Sequence, residues 1–183
     1  MIILDVDGVL ADFTEAACKV HGHSGFRSTK WDFFLDWDIS ETEFWGKIHA
    51  LGNSFYEDLV QPYPWLAELM TRIDTADDWV LMTATGNNPA CYSGKKIWVD
   101  KYIQPLFQKE VKLIMGHEKH LLAGPNRLLI DDNETNVSKF LSAGGYSILF
   151  AQPWNSADTP HGIFLTKLYN NLAAWSAITK KEI

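Results

Sequence analysis

The sequence predicts an α/β fold: a central parallel sheet covered by helices on both faces, with a small helical insertion after the first strand. Three observations predict it. Five short apolar runs recur along the chain. Stretches of helical periodicity separate them. Residues 14–60 interrupt this alternation with an aromatic-rich block. Strand–helix–strand alternation implies parallel strands joined by right-handed crossovers, with both sheet faces covered.

The strand candidates are 2–5 (IILD), 79–83 (WVLMT), 111–115 (VKLIM), 127–131 (RLLID) and 146–150 (YSILF). Each is short and almost continuously apolar, as a strand buried on both faces must be. Asp12 is placed to cap a helix that follows it. Pro64 suits a first helical turn, and Leu66, Leu69, Met70 and Ile73 then repeat at helical spacing. Residues 93–104 carry Ile97, Trp98 and Tyr102 on one side of a further helix. Residues 133–143 do the same with Val137, Phe140 and Leu141, and Gly144-Gly145 stops them. Leu165, Leu168, Leu172 and Trp175 mark a last amphipathic helix. The division expected is a core of 1–13 and 61–183, with 14–60 as a small cap whose large side chains build a minor core or line a pocket.

Composition narrows the function. The chain has 183 residues, 46% hydrophobic and 21% charged, which is the balance of an ordinary globule. A net charge of −7 argues against duplex nucleic acid as a partner, since that needs a basic face. It leaves room for a small phosphorylated ligand, because a bound cation and a few lysines reverse the field locally. The two cysteines, Cys18 and Cys91, form no framework and fit a reducing, cytoplasmic compartment. No secretory signal and no membrane span are expected.

Polar residues gather where such sheets bind ligands, outside the carboxyl ends of the strands. Asp5 ends the first run, Thr83 the second, and Asp131 with Asp132 the fourth. If these strands are neighbours, Asp5, Asp7, Asp131 and Asp132 converge. Two like charges 4 Å apart repel by about 4 kcal/mol at an effective dielectric of ~20. Such a group must hold protons or a cation. An all-oxygen set with no His or Cys cluster suits Mg²⁺. Thr83 offers a hydroxyl and the N–H groups of the next turn to an anion. Lys95, Lys96 and Lys119 are the candidates for offsetting phosphoryl charge. Taken singly, each of these acids reads first as a loop acid or a helix cap, and each lysine as a solvated surface residue; it is their shared edge that points to chemistry.

DVDGV at 5–9, LMTATG at 81–86, the lysine of GHEKH and LLIDD at 128–132 occur in the order found in the haloacid dehalogenase (HAD) superfamily of phosphatases, which the chain resembles over nearly its whole length. The resemblance implies a three-layer Rossmann-like fold and an aspartyl-phosphate mechanism. Asp5 becomes the nucleophile and Asp7 the general acid and base. Thr83, Ala84 and Lys119 become phosphate ligands. Mg²⁺ falls to Asp5, the Asp7 carbonyl and Asp132, with Asp131 in support. LDVDGVLADF, the aromatic insertion before QPYP, and KKIWVDKY further resemble the 5'(3')-deoxyribonucleotidase family. That likeness implies a nucleoside monophosphate substrate, a homodimer, and substrate contacts from Phe13, Trp31, Phe55 and Lys95. Ala84 departs from the family, which usually has a second hydroxyl there, as does DDNETN after the acid pair. Other expectations compatible with the residues are a HAD phosphatase for a sugar phosphate or a nucleic acid end, a receiver-like phospho-acceptor, and a non-catalytic phospho-ligand binder. The order of motifs speaks against a receiver, where the acid pair comes first.

Overall fold

In the computed structural model, which describes residues 1–27, 29–86, 88–157 and 159–179, the first strand β1 (Ile2–Leu4) lies in the middle of a sheet and buries all three side chains. The chain then turns through Gly8, at φ +74°, into a two-residue strand β2 (Ala11–Asp12). Asp12 caps helix α1 (Phe13–Val20) by accepting from the Glu15 N–H at 3.1 Å. A 3₁₀ turn at Phe33–Trp37 leads to helix α2 (Glu41–Ala50), capped by Ser40 and burying Phe44 and Ile48. A single π-turn, Phe55–Leu59, precedes β3 (Gln61–Pro62). Strand β3 pairs antiparallel with β2, Ala11 opposite Pro62 and Asp12 opposite Gln61. The chain therefore returns to the point from which it left, and residues 13–60 form one excursion.

Helix α3 (Leu66–Ala76) starts just beyond Pro64, and buries Leu66, Leu69, Met70 and Ile73. Strand β4 (Trp79–Thr83) is buried throughout. Helix α4 (Pro89–Tyr102) begins four residues before the expected 93. Asn88 caps it, accepting from the Ala90 N–H, and Pro89 occupies its first turn. Strand β5 (Leu113–Met115) is shorter than 111–115, because the Val111 N–H is taken by the Gln104 side chain at 3.0 Å. Strand β6 (Leu128–Asp131), helix α5 (Glu134–Ser142) with Asn133 as cap, strand β7 (Tyr146–Leu149) and helix α6 (His161–Thr179) complete the chain.

The five-stranded sheet has the order β5-β4-β1-β6-β7 and is parallel throughout. Leu4 is level with Leu81 on one side and Ile130 on the other, so Asp5, Met82 and Asp131 share one level at the carboxyl edge. One apolar cluster runs from β1, β4 and β6 through α3 and α6 to Phe44, Phe55 and Ile48 of the excursion. A smaller one on the other sheet face joins Ile3, Val80, Met82, Leu129 and Phe140. No helix among the described residues is long and apolar enough to cross a membrane.

Candidate active site

Three adjacent strands deliver the polar residues to one cavity of about 760 Å³, a size suited to a small molecule. Asp5, Asp131 and Asp132 each place a carboxylate oxygen within 4.8 Å of the others, and all three residues are buried. One buried cation faces them. Lys119, in a 3₁₀ turn after β5, donates to Asp131 Oδ2 at 2.6 Å and pairs with Asp5 Oδ1 at 2.8 Å. Asp5 Oδ1 also accepts from the Val6 N–H. Asp131 is held further by the Asn133 N–H at 2.8 Å and the Asn136 amide at 3.1 Å. The Trp154 indole N–H donates to Asp132 Oδ2 at 2.8 Å.

The charge balance here is unfavourable as it stands. Burial, then the Asp5 charge, pushes Asp131 up to about 6 despite Lys119. Burial, then Asp5 and Asp131, pushes Asp132 well above the usual carboxylate range. Burial alone would lower Lys119, but Asp5 and Asp131 together hold it above its ordinary value. Carboxylates that resist ionising beside a single lysine are a set that a cation would complete. The backbone is shaped to match: a Cβ at position 8 would lie 2.1 Å from Asp132 Oδ2, so only glycine lets that carboxylate come up against the first loop. The donor set is all oxygen, which suits a hard divalent cation.

Asp7 and Thr83 meet through Lys95. The Lys95 ammonium, buried on α4, donates to Asp7 Oδ2, to Thr83 Oγ1 at 2.7 Å and to the Ala84 carbonyl. Lys95 lies about two turns into α4, which starts at Pro89, and this folds the lysine back over the strand end. Lys96, by contrast, points outward and pairs with Asp100. Tyr56 donates its hydroxyl to Asp7 Oδ2 at 3.2 Å.

The aromatic expectations divide. Phe13 lines the cavity, with Trp45 and Phe55 rings 5.7 and 5.4 Å from its own. Trp31 stands at the mouth, 54% exposed. Phe55 is not a cavity wall: it is 1% exposed and sits behind Phe13, while its neighbour Tyr56 faces the site. Sequence reasoning missed Thr85, a buried hydroxyl one residue past Ala84 that also lines the cavity. It also missed Gln152, whose amide donates to the Gly8 carbonyl, and Trp154 with Asn155, which hold Asp132 by side chain and carbonyl. The signal was present in QPWN, polar residues just past the carboxyl end of a fifth strand.

This strand order, with buried carboxylates and a lysine at its carboxyl edge, defines a hydrolase of the HAD fold. Solved structures share it. A HAD family hydrolase from Deinococcus radiodurans R1 with bound phosphate and sodium is 14% identical, with a TM-score of 0.59 over 95% of this chain and 96% of that one. A haloacid dehalogenase-like family hydrolase from Xanthomonas campestris is 12% identical, with a TM-score of 0.62 over 97% and 93%. A HAD-hydrolase from Bacillus subtilis bound to magnesium is 14% identical, with a TM-score of 0.58 over 93% and 97%. No curated protein sequence matches the chain significantly. The chain belongs to the 5' nucleotidase, deoxy (pyrimidine), cytosolic type C protein family, whose model matches residues 1–161, and it is a hydrolase of the phosphatase class.

Proposed function

We propose that this protein is a Mg²⁺-dependent phosphatase of (deoxy)nucleoside monophosphates that works through a phosphorylated Asp5. One observation carries the reading. Asp5 sits at the floor of a cavity that is charged at its base and walled by Phe13, Trp45 and Trp31 higher up. A phosphate head and a flat base have the same division of character. Family membership supports it, as do the phosphate and magnesium bound by the two bacterial HAD hydrolases.

Phosphate monoesters hydrolyse very slowly unaided, and a carboxylate nucleophile divides the reaction into two easier steps. Lys119 and the Val6 N–H both hold Asp5 Oδ1, which leaves Oδ2 to attack phosphorus. An ammonium has three donors, and Lys119 uses two on Asp5 and Asp131, so the third is available to a phosphoryl oxygen. Thr83 and the Ala84 backbone contribute on the opposite side, fixed by Lys95. Asp7 protonates the leaving oxygen and then takes a proton from the water that hydrolyses the acyl phosphate. Asp5, the Asp7 carbonyl and Asp132 would hold Mg²⁺, with Asp131 supporting through its contacts to Lys119 and Asn136. When bound, the ion neutralises charge on the phosphoryl oxygens. Residues 14–60 act as the cap. In support, the β2–β3 ladder ties their two ends together, and Phe13, Trp31, Trp45 and Tyr56 line the cavity from this side. The free cysteines Cys18 and Cys91 are compatible with a cytoplasmic location.

Turnover of each common nucleoside monophosphate, ribo and deoxy, with and without Mg²⁺, tests the reading. Rates on nucleotides well above those on sugar phosphates, and lost on chelation, are expected. Equal rates on both substrate classes would remove the nucleotide assignment and leave only the phosphatase.

A further inference from the structure

The carboxylates of the acidic cluster are not equally free. Both Asp131 oxygens are taken: Oδ1 accepts from the Asn133 N–H at 2.8 Å, and Oδ2 from Lys119 at 2.6 Å and the Asn136 amide at 3.1 Å. Asp131 accordingly stays out of the cavity lining, whereas Asp132 is part of it. The two Asp132 oxygens differ. Oδ2 accepts from the Trp154 indole N–H at 2.8 Å and lies against the first loop, where a Cβ on residue 8 would come within 2.1 Å of it. Oδ1 has no protein partner among the described residues and keeps solvent access in the cavity. We propose that Trp154 is a positioning residue that sets the metal preference of the site: by holding Oδ2 it restricts Asp132 to one ligand oxygen, which favours Mg²⁺ over Ca²⁺. This rests on Asp132 being the metal ligand named above.

The physical basis is the coordination each ion demands. Mg²⁺ is small, requires near-ideal octahedral geometry and keeps several waters, so it takes one or two carboxylates through single oxygens. Ca²⁺ takes ~6–8 oxygens and readily accepts both oxygens of one carboxylate. A carboxylate can give both oxygens only if its plane is free to turn edge-on to the ion.

Asp132 is not free to turn. Oδ2 is wedged between the Trp154 indole and the Gly8 backbone, and the loop after β7 holds both walls of that slot. Asn155 donates its amide to the Asp132 carbonyl at 2.9 Å and to the Phe150 carbonyl at 2.8 Å. Its N–H donates to the Gln152 carbonyl at 3.2 Å, and the Gln152 side chain in turn donates to the Gly8 carbonyl. One short loop thus fixes the acid, the glycine it packs on and the indole that points at it. Such outer contacts commonly tune a metal site as strongly as the ligands themselves.

Calorimetric titration of the full chain with Mg²⁺ alone and with Ca²⁺ alone, free of nucleotide, reads the preference directly. Trp154→Phe removes the N–H and keeps an aromatic ring. It is expected to weaken Mg²⁺ about tenfold and Ca²⁺ by less than about twofold, so that the preference falls. Trp154→His restores a ring N–H at the corresponding position. Titrated at pH ~8, where imidazole is neutral, it is expected to return the ratio to within about twofold of wild type. An equal loss for both ions in Trp154→Phe, or none, overturns the proposal, as does a Trp154→His no better than Trp154→Phe. Asp132→Asn separates this inference from the reading beneath it, and is expected to lose more than about tenfold for both ions. If Asp132→Asn binds Mg²⁺ as tightly as wild type, or wild type binds none, the placement of the metal fails and this inference fails with it.

Discussion

Replacing Gly8 by alanine perturbs the site at its tightest point. Residue 8 has φ +74°, where a non-glycine residue costs on the order of 1–2 kcal/mol. The added Cβ would lie 2.1 Å from Asp132 Oδ2, 2.5 Å from its Cγ and 2.9 Å from Oδ1. A carbon and an oxygen in close contact stand ~3.3 Å apart, so the carboxylate must retreat by roughly 1 Å. It is not free to do so. Trp154 holds Oδ2 at 2.8 Å, Asn155 holds the Asp132 carbonyl at 2.9 Å, and the Gly8 carbonyl is itself held by Gln152. Either the Trp154 bond breaks or the 5–11 loop moves, and both displace a carboxylate assigned to the metal. A displacement of ~1 Å costs about 10²-fold in rate. Calorimetric titration with Mg²⁺ and steady-state turnover read the two effects separately. Gly8→Ala is expected to bind Mg²⁺ at least about tenfold more weakly and to turn over about 10²-fold more slowly. Wild-type affinity together with wild-type turnover would refute the placement of Asp132 at the metal.

Other expectations follow from the same geometry. Lys119→Met leaves Asp5 and Asp131 buried without their counter-charge. It should lower unfolding stability by about 3–5 kcal/mol in chelator, as read by denaturant melts, and abolish turnover. Asp131 supplies a pH test. Its folded value of about 6 exceeds the ordinary 3.8, so the folded state holds a proton that the unfolded state has lost between these values. Its contribution is thus most favourable below about 3.8 and is lost as pH rises through about 6. At ~1.4 kcal/mol per pH unit this is roughly 3 kcal/mol. Thermal melts should accordingly show Mg²⁺ stabilising the protein more at pH ~7 than at pH ~5; an equal shift at both would count against the cation. Phe13→Ala should raise KM for nucleotides by about tenfold through lost stacking while leaving p-nitrophenyl phosphate nearly unaffected. A loss shared by both substrates would mean that Phe13 supports the fold rather than the base.

The parts of the fold legible in the sequence are those with one dominant cause. IILD, WVLMT and RLLID read as strands because burial on both faces makes a strand continuously apolar, and they are the three central strands. The carboxyl-edge acids were legible because every strand of a parallel sheet ends at the same side. Helix α4 was read four residues short, although Asn88-Pro89 carries both a cap and a first-turn proline, because its early turns present few apolar side chains. Phe55 and Tyr56 could not be told apart by periodicity. A π-turn adds a residue to the helical repeat and rotates the face that follows, so 3.6-residue spacing loses its phase there. Lys95 was expected near the substrate, but its bonds to Asp7 and Thr83 depend on how α4 folds back over β4. Trp154 and Gln152 lie in a loop with no periodicity, and their partners, Asp132 and the Gly8 carbonyl, are distant in the chain.

The central claim is that Asp5 attacks phosphorus, and acid-quenched enzyme examined by peptide mass spectrometry tests it most directly. Quenching during turnover of a deoxynucleoside monophosphate with Mg²⁺ should leave one phosphoryl group on the peptide that contains Asp5, labile to hydroxylamine, and none in Asp5→Asn. A peptide that stays unmodified during rapid turnover, or an Asp5→Asn variant that retains wild-type activity, would contradict the account.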